Sequence, residues 1–212
     1  MGLRGVIILI LIFGFKSVAQ NNLGSWNILN VTMKINPKWS VFSEGQIRSL
    51  SFYDEFHYYE LKAGLTYKIK PNFSVTTGIG DYNTYSEGGN FESPIQTNEI
   101  RSWAQVNLKN PFDYIVFEHR YRAEQRFTSN GFRNRFRYRL SAAIPLQGKK
   151  IEPKTFYLSA WNEIFFTDKE PFFERNRLFI GGGYEFSENL AIQTGYIYQF
   201  DYKINDETGR DF

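Results

Sequence analysis

Residues 132–144 read FRNRFRYRLSAAI, and in them Arg133, Arg135, Arg137 and Arg139 alternate with Asn134, Phe136, Tyr138 and Leu140. Successive side chains of a strand point to opposite faces. One face of this segment therefore carries four guanidiniums and the other mostly aromatic and aliphatic groups. If the apolar face meets lipid, the arginines line an enclosed polar interior. If it meets a protein core, they face water. Energetics sharpens the choice of side. An arginine facing lipid at the bilayer midplane costs about 2–4 kcal/mol, so turning all four outward would cost on the order of 10 kcal/mol.

The neighbouring segment tests this reading, because a barrel must keep one face consistent from strand to strand. Residues 114–127 carry Glu118, Arg120, Arg122, Glu124 and Arg126, all at even positions. The four-residue connection 128–131 sets Phe127 against Phe132, and hence Glu124 against Arg135 and Glu118 against Ser141. Even faces odd, as required. Arg122 and Arg137 become cross-strand neighbours, as do Arg120 and Arg139. Such like-charged pairs need a counter-charge from carboxylates, water or a bound anion.

Three-residue turns at 36–38, 70–72 and 187–189 preserve parity instead. They place Asn30, Thr32 and Lys34 beside Glu44, Gln46 and Arg48, and Glu60 and Lys62 beside Ser74, Thr76, Gly78 and Gly80. Glu99, Arg101, Gln105, Arg175 and Arg177 complete the polar face. The opposite face carries Leu29, Val31, Leu61, Leu65, Ile100, Val106, Ile115, Phe117, Leu178 and Ile180.

Alternating segments fill almost everything after Leu23. Strands are expected at about 24–35, 39–52, 56–69, 73–82, 97–108, 114–127, 132–144, 155–168, 174–186 and 190–200. Globular strands average about five or six residues; these are longer, and a tilted membrane-crossing strand needs about nine to eleven. Tight turns fall at Asn36-Pro37-Lys38, Lys70-Pro71-Asn72, Asn110-Pro111 and Ser187-Glu188-Asn189. Between them come looser connections, the longest at 83–96, and short turns on one side with longer loops on the other are an outer-membrane pattern. The tail DYKINDETGRDF, 201–212, reads as a polar loop, so a closing C-terminal strand is expected to be missing.

The N-terminus carries a basic start, the apolar run VIILILIFGF at 6–15, and the small residues Ser17 and Ala19 around a cut ahead of Gln20. This is the pattern of a cleaved secretory signal peptide over 1–19, too short for a spanning helix. The barrel domain is expected over 20–212. Removing the leader takes Arg4 and Lys16, lowering the formal charge from +3 to +1. A near-neutral chain has no electrostatic footprint for nucleic acid. The chain holds no cysteine, so disulfides and thiolate metal sites are excluded. Aromatics make up 18% of the residues, which suits the girdles a transmembrane barrel carries at its two interfaces.

The secretory start, the Trp26-Asn27 opening, Glu44 with Arg48, the Tyr67-Lys-Ile hairpin and Arg175-Asn-Arg177-Leu-Phe-Ile-Gly-Gly-Gly-Tyr resemble the Gram-negative outer-membrane barrels grouped as domain-of-unknown-function family 2490. The resemblance spans nearly the whole mature chain. It implies an outer-membrane location and transfers no catalytic residues.

The fold expected is an all-β, antiparallel up-and-down transmembrane barrel of about ten to twelve strands, in contact with outer-membrane lipid and lipopolysaccharide. Its lumen network comprises Glu118, Arg120, Arg122, Glu124, Arg126, Arg133, Arg135, Arg137, Arg139, Arg175 and Arg177. The function expected is non-enzymatic, porin-like binding or passive passage of small solutes, anions among them, through a charged lumen. No cofactor and no metal are expected: paired histidines and calcium-loop patterns are missing. The acidic residues Asp201, Asp206, Glu207 and Asp211 read as a solvated loop.

Two alternatives are carried. A soluble, lipocalin-like barrel would turn the same apolar face inward. A lipid hydrolase would use an outward Ser102 and His119, which pairing across a turn at 109–112 sets directly opposite one another, although no orienting third group lies close by.

Overall fold

The computed structural model describes residues 23–203 and 206–211; the expected signal segment 1–19 lies outside them. Eleven strands follow in chain order: β1 (Ser25–Lys34), β2 (Trp39–Ser51), β3 (Asp54–Lys70), β4 (Phe73–Tyr85), β5 (Ile95–Phe112), β6 (Ile115–Thr128), β7 (Gly131–Pro145), β8 (Thr155–Thr167), β9 (Phe173–Ser187), β10 (Leu190–Lys203) and β11 (Asp206–Asp211). Each pairs antiparallel with its sequence neighbours in one meandering sheet. The all-β, up-and-down expectation holds. All ten expected strands are present.

The sheet is strongly curled. Trp26 on β1 packs against Phe179 on β9 and Ile197 on β10, and the Arg177 guanidinium lies 4.8 Å from the Trp26 ring centre. Only a sheet bent back on itself brings its first strand to its ninth and tenth. Among the described residues β1 and β11 share no hydrogen-bonded ladder, so side chains rather than backbone cross this seam.

The concave face is a polar interior studded with flat aromatic rings. Tyr58, Tyr82, Trp103, Phe165, Phe179 and Ile197 are buried there beside Arg48, Glu60, Glu99, Arg101, Arg122, Glu124 and Glu163. Several inward rings lie over inward glycines. A Cβ added at Gly78 would stand 2.4 Å from Trp103, one at Gly64 2.5 Å from Phe42, and one at Gly181 2.5 Å from Phe179. The Gly181-Gly-Gly183 run is thus a landing for aromatic rings, as a glycine inside a strand often is.

The convex face is apolar and exposed: Leu29, Val31, Leu61, Ile79, Phe136 and Ile180 are among its members. Aromatic rings gather at both of its ends. Trp39 and Tyr67 (4.7 Å) and Phe156, Tyr184 and Phe186 (4.3 and 4.6 Å) lie near the tight turns. Phe52 with Tyr53, Tyr59 with Tyr85 and Phe91, and Phe127 with Phe132 lie near the longer loops. Polar exceptions on this face satisfy one another: Asn162 and Asn176 exchange amide hydrogen bonds of 3.1 and 3.2 Å.

Three expectations are corrected. The β5–β6 hairpin does not turn at Asn110-Pro111: both strands continue, Pro111 stands opposite Val116, and the chain reverses at Asp113 and Tyr114. Asp113 takes φ 53°, a conformation aspartate tolerates better than most residues. The tail is not wholly a loop, because β10 runs on to Lys203 and β11 pairs with it, Tyr198 opposite Asp211. Finally, Asn30 faces Glu44 as expected, but Thr32 and Lys34 face Phe42 and Ser40.

Candidate functional site

The arginine row of β7 lies where its alternation places it, on the concave face. Arg120 stands opposite Arg139, Arg122 opposite Arg137, and Glu124 opposite Arg135. Glu124, with no exposed side-chain surface, receives a 2.6 Å hydrogen bond from Arg137 Nη1. Arg122 and Arg135 approach the same carboxylate at 3.6 and 3.8 Å. Glu163 on β8 takes the other side of Arg137, whose Nη2 reaches both of its oxygens at 2.9 Å, and it also accepts a hydrogen bond from Arg120.

Toward the longer loops a second group forms. Arg101 donates to Glu99 through Nε and Nη2 (2.7 and 2.9 Å), and Arg126 closes on the same carboxylate. Glu174 is brought inward by a β-bulge: Phe166 pairs with Phe173 and Phe165 with Arg175, leaving Glu174 between them. From there it accepts from Arg135 Nε at 2.9 Å and lies 3.5 Å from Arg126 and 3.7 Å from Arg133. A bulge re-aims a side chain against strict alternation, and here it supplies a counter-charge.

At the seam, Trp26 is held between two cations, Arg48 at 3.6 Å and Arg177 at 4.8 Å from its ring centre. Its indole N–H donates to Gln46 at 2.7 Å. Arg48 leans on Glu60 at 3.4 Å, and Arg177 Nε donates to Gln199 at 2.8 Å. Arg175 is paired with Asp201. Low-dielectric surroundings strengthen each of these contacts and make any unpaired member costly.

These groups line a cavity of about 1100 Å³. Among the described residues thirteen cationic and eight acidic side chains face it, an excess of five positive charges that falls to four once the buried Glu124 is included. Hydrogen-bond donors are in surplus too. Among the described residues, the buried Arg48, Arg120 and Arg139 Nε and Trp103 Nε1 make no hydrogen bond, and Glu124 Oε2 is a buried carboxylate oxygen that receives none. Such an interior suits an acceptor-rich, negatively charged guest.

Of the expected lumen residues, Arg120, Arg122, Arg126, Arg133, Arg135, Arg137, Arg139, Arg175 and Arg177 line this cavity. Glu124 sits in the wall behind the row. Glu118 is on the same face but nearer the tight turns, with Asn107 at 3.0 Å and Lys109 at 3.6 Å. Glu163 and Glu174 were missed by reading the sequence. Glu163 carries a usable signal, since it shares inward parity with Trp161 and Phe165, although those aromatics disguise the polar face. Glu174 carries none, because strict alternation points it outward.

The Ser102 and His119 pair does not assemble. The longer β5–β6 hairpin sets Ser102 opposite Gln125 and His119 opposite Leu108, so the two lie about 20 Å apart along the strand direction at the usual rise. Ser102 donates to Gln125 Oε1 at 3.1 Å, and His119 Nδ1 is 2.8 Å from the Tyr138 hydroxyl. Among the described residues no three histidine or acidic side chains converge on a metal-sized site. The side chains of Asp206, Glu207 and Asp211 lie outside the described residues.

The likeness to known proteins follows the same outline. LpxR from Salmonella typhimurium, an outer-membrane β-barrel, superposes with a TM-score of 0.50 at 9% sequence identity, over 87% of this chain and 85% of that one. At that identity the likeness concerns the fold alone. No curated protein matches the sequence. A family model does match, over residues 23–210, from the Trp26 opening through β10 and most of β11; the chain belongs to the family described as protein of unknown function, DUF2490.

Proposed function

We propose that this protein is an outer-membrane barrel whose lumen holds small anionic solutes, as a binding site on a passive route and without covalent chemistry on them. The observation that carries this reading is the cationic excess of the cavity among the described residues, thirteen side chains against eight, together with its surplus of buried donors. An interior that only braced the wall would be expected to balance its charges, since an uncompensated buried charge costs several kcal/mol. The membrane location is supported by the exposed apolar convex face, by aromatic clusters at both of its ends, and by the fold shared with LpxR.

The test is reversal potential in planar bilayers under a potassium chloride gradient, joined to anion binding by the refolded protein. Anion-selective conductance or saturable anion binding is expected. Cation selectivity, or the absence of both conductance and anion binding, overturns the reading.

A further inference from the structure

Glu163 stands at the centre of four arginines and serves only two of them. In the ladders it is directly opposite Arg139 on β7 and Arg177 on β9. Its carboxylate is turned away from both, toward Arg137 and Arg120. Among the described residues neither Arg139 nor Arg177 has a carboxylate within 4.0 Å. Arg139 Nε is buried without an acceptor, and its guanidinium lies 5.4 Å from the Trp161 ring centre. Arg177 spends Nε on Gln199 and is flanked by the Trp26 and Phe165 rings, each at 4.8 Å. Both residues line the cavity.

We infer that Arg139 and Arg177 form a seat for a phosphate-class dianion, an inference that rests on the anion-binding reading above. β7 and β9 are two ladder spacings apart, about 9.5 Å between backbones, with the Arg139 guanidinium beside Trp161 and that of Arg177 beside Trp26 and Phe165, so a guest over β8 has one arginine strand on each side. A guanidinium is a planar fork that pairs with two oxygens at once. A monocarboxylate has both oxygens on one side and satisfies one fork. A tetrahedral phosphate or phosphomonoester offers oxygens to both. Its charge also fits: Arg120, Arg137, Arg139 and Arg177 around Glu163, with Glu124 also bonded to Arg137, leave two positive charges, and a phosphate carries about −1.5 to −2 near pH 7. The aromatic walls of Trp26, Trp161 and Phe165 thin the water around the seat, which strengthens such contacts.

The test is calorimetric titration of the refolded full chain in detergent, at constant ionic strength, with inorganic phosphate, glycerol 1-phosphate and acetate. Folding of each variant is verified by heat-modifiable gel mobility. Phosphate is expected to bind at least tenfold more tightly than acetate, and at least tenfold more tightly at pH 7.5 than at pH 5, because the second proton of a phosphomonoester leaves near pH 6 and that of inorganic phosphate higher still. Arg139→Gln and Arg177→Gln should each weaken it at least tenfold, while Lys38→Gln on an outlying turn should change it less than twofold. Arg139→Lys keeps the charge but loses the fork, so it should also weaken binding if the glutamine variant does not fold. Glycerol 1-phosphate binding as tightly as phosphate assigns the seat to monoesters; binding of phosphate alone assigns it to the free ion. Equal affinity for phosphate and acetate, or indifference to both arginines, overturns the seat while anion-selective conductance leaves the broader reading standing. Absence of any anion binding or selectivity overturns both.

Discussion

Glu174 reaches Arg135 from a bulge, accepting from its Nε at 2.9 Å although strand alternation alone would aim the carboxylate at the opposite face. It is also the nearest acidic partner of Arg133, at 3.7 Å. Removing one member of a buried ion pair typically costs about 3–5 kcal/mol, because a charge is left uncompensated. Glu174→Gln is therefore expected to lower the urea midpoint of the folded barrel markedly. Glu118→Gln, whose partner Lys109 is more than half exposed, should shift it by about 0–1 kcal/mol.

The membrane reading makes its own demand on the convex face. Ile180 lies midway along β9 and is 60% exposed. In a bilayer, Ile180→Arg should destabilise by about 2–4 kcal/mol. On a water-facing surface the same change would stay within about 0.5 kcal/mol. Unfolding of the two proteins from lipid vesicles separates these outcomes, and an unchanged midpoint would count against a lipid-facing convex surface.

Inward rings and glycines are matched on the concave face, and the outward glycine between them is not constrained in the same way. A Cβ at Gly181 would meet Thr194 O at 2.2 Å and Phe179 at 2.5 Å, whereas one at Gly182 would come no closer than 3.3 Å to any atom. Gly181→Ala should cost about 1–3 kcal/mol through forced shifts of ring and backbone. Gly182→Ala should be tolerated far better. Paired denaturation curves decide the matter.

One titration lies outside the strands. Asp168, in the loop after β8, accepts from the Asn134 backbone N–H at 2.9 Å and from its amide at 2.7 Å. These bonds favour the charged carboxylate and hold it below the usual aspartate range. A depressed carboxyl contributes stability above its unfolded value of about 3.9 and loses it as pH falls through the folded value. The loop at 168–172 should accordingly become more protease-sensitive only below about pH 4, and Asp168→Asn should remove that pH dependence. An acid-tolerant protease digestion series reads it out.

Separated along β5 and β6, Ser102 and His119 cannot share a proton in this register. Ser102→Ala and His119→Ala are expected to leave the lipid composition of expressing cells unchanged. A shift in acyl-chain profile in either variant, measured by mass spectrometry, would revive the hydrolase alternative.

Much of the lumen is legible in the sequence. Alternation assigned the faces of β6 and β7, and the length of the 128–131 connection predicted Glu124 opposite Arg135 and both arginine–arginine pairs. The same reasoning failed one hairpin earlier. Asn110-Pro111 is a strong local turn signal, yet the ladder runs past it, because long-range pairing outweighs a dipeptide preference. A turn displaced by a few residues shifts every partner on both strands, and that separated Ser102 from His119.

The sequence by itself determined which residues face inward, since period-two alternation is a property of each strand alone. It also determined that Arg120 would face Arg139 and Arg122 would face Arg137, pairs that need a counter-charge. Only the tertiary structure decided which carboxylate serves which arginine. Glu174 turns inward through a bulge that exists only against β8, and Glu163 abandons the arginines beside it for Arg120 and Arg137 across the curled wall. Those choices depend on curvature and on the reach of long side chains, quantities that arise when eleven strands meet and that no single strand encodes.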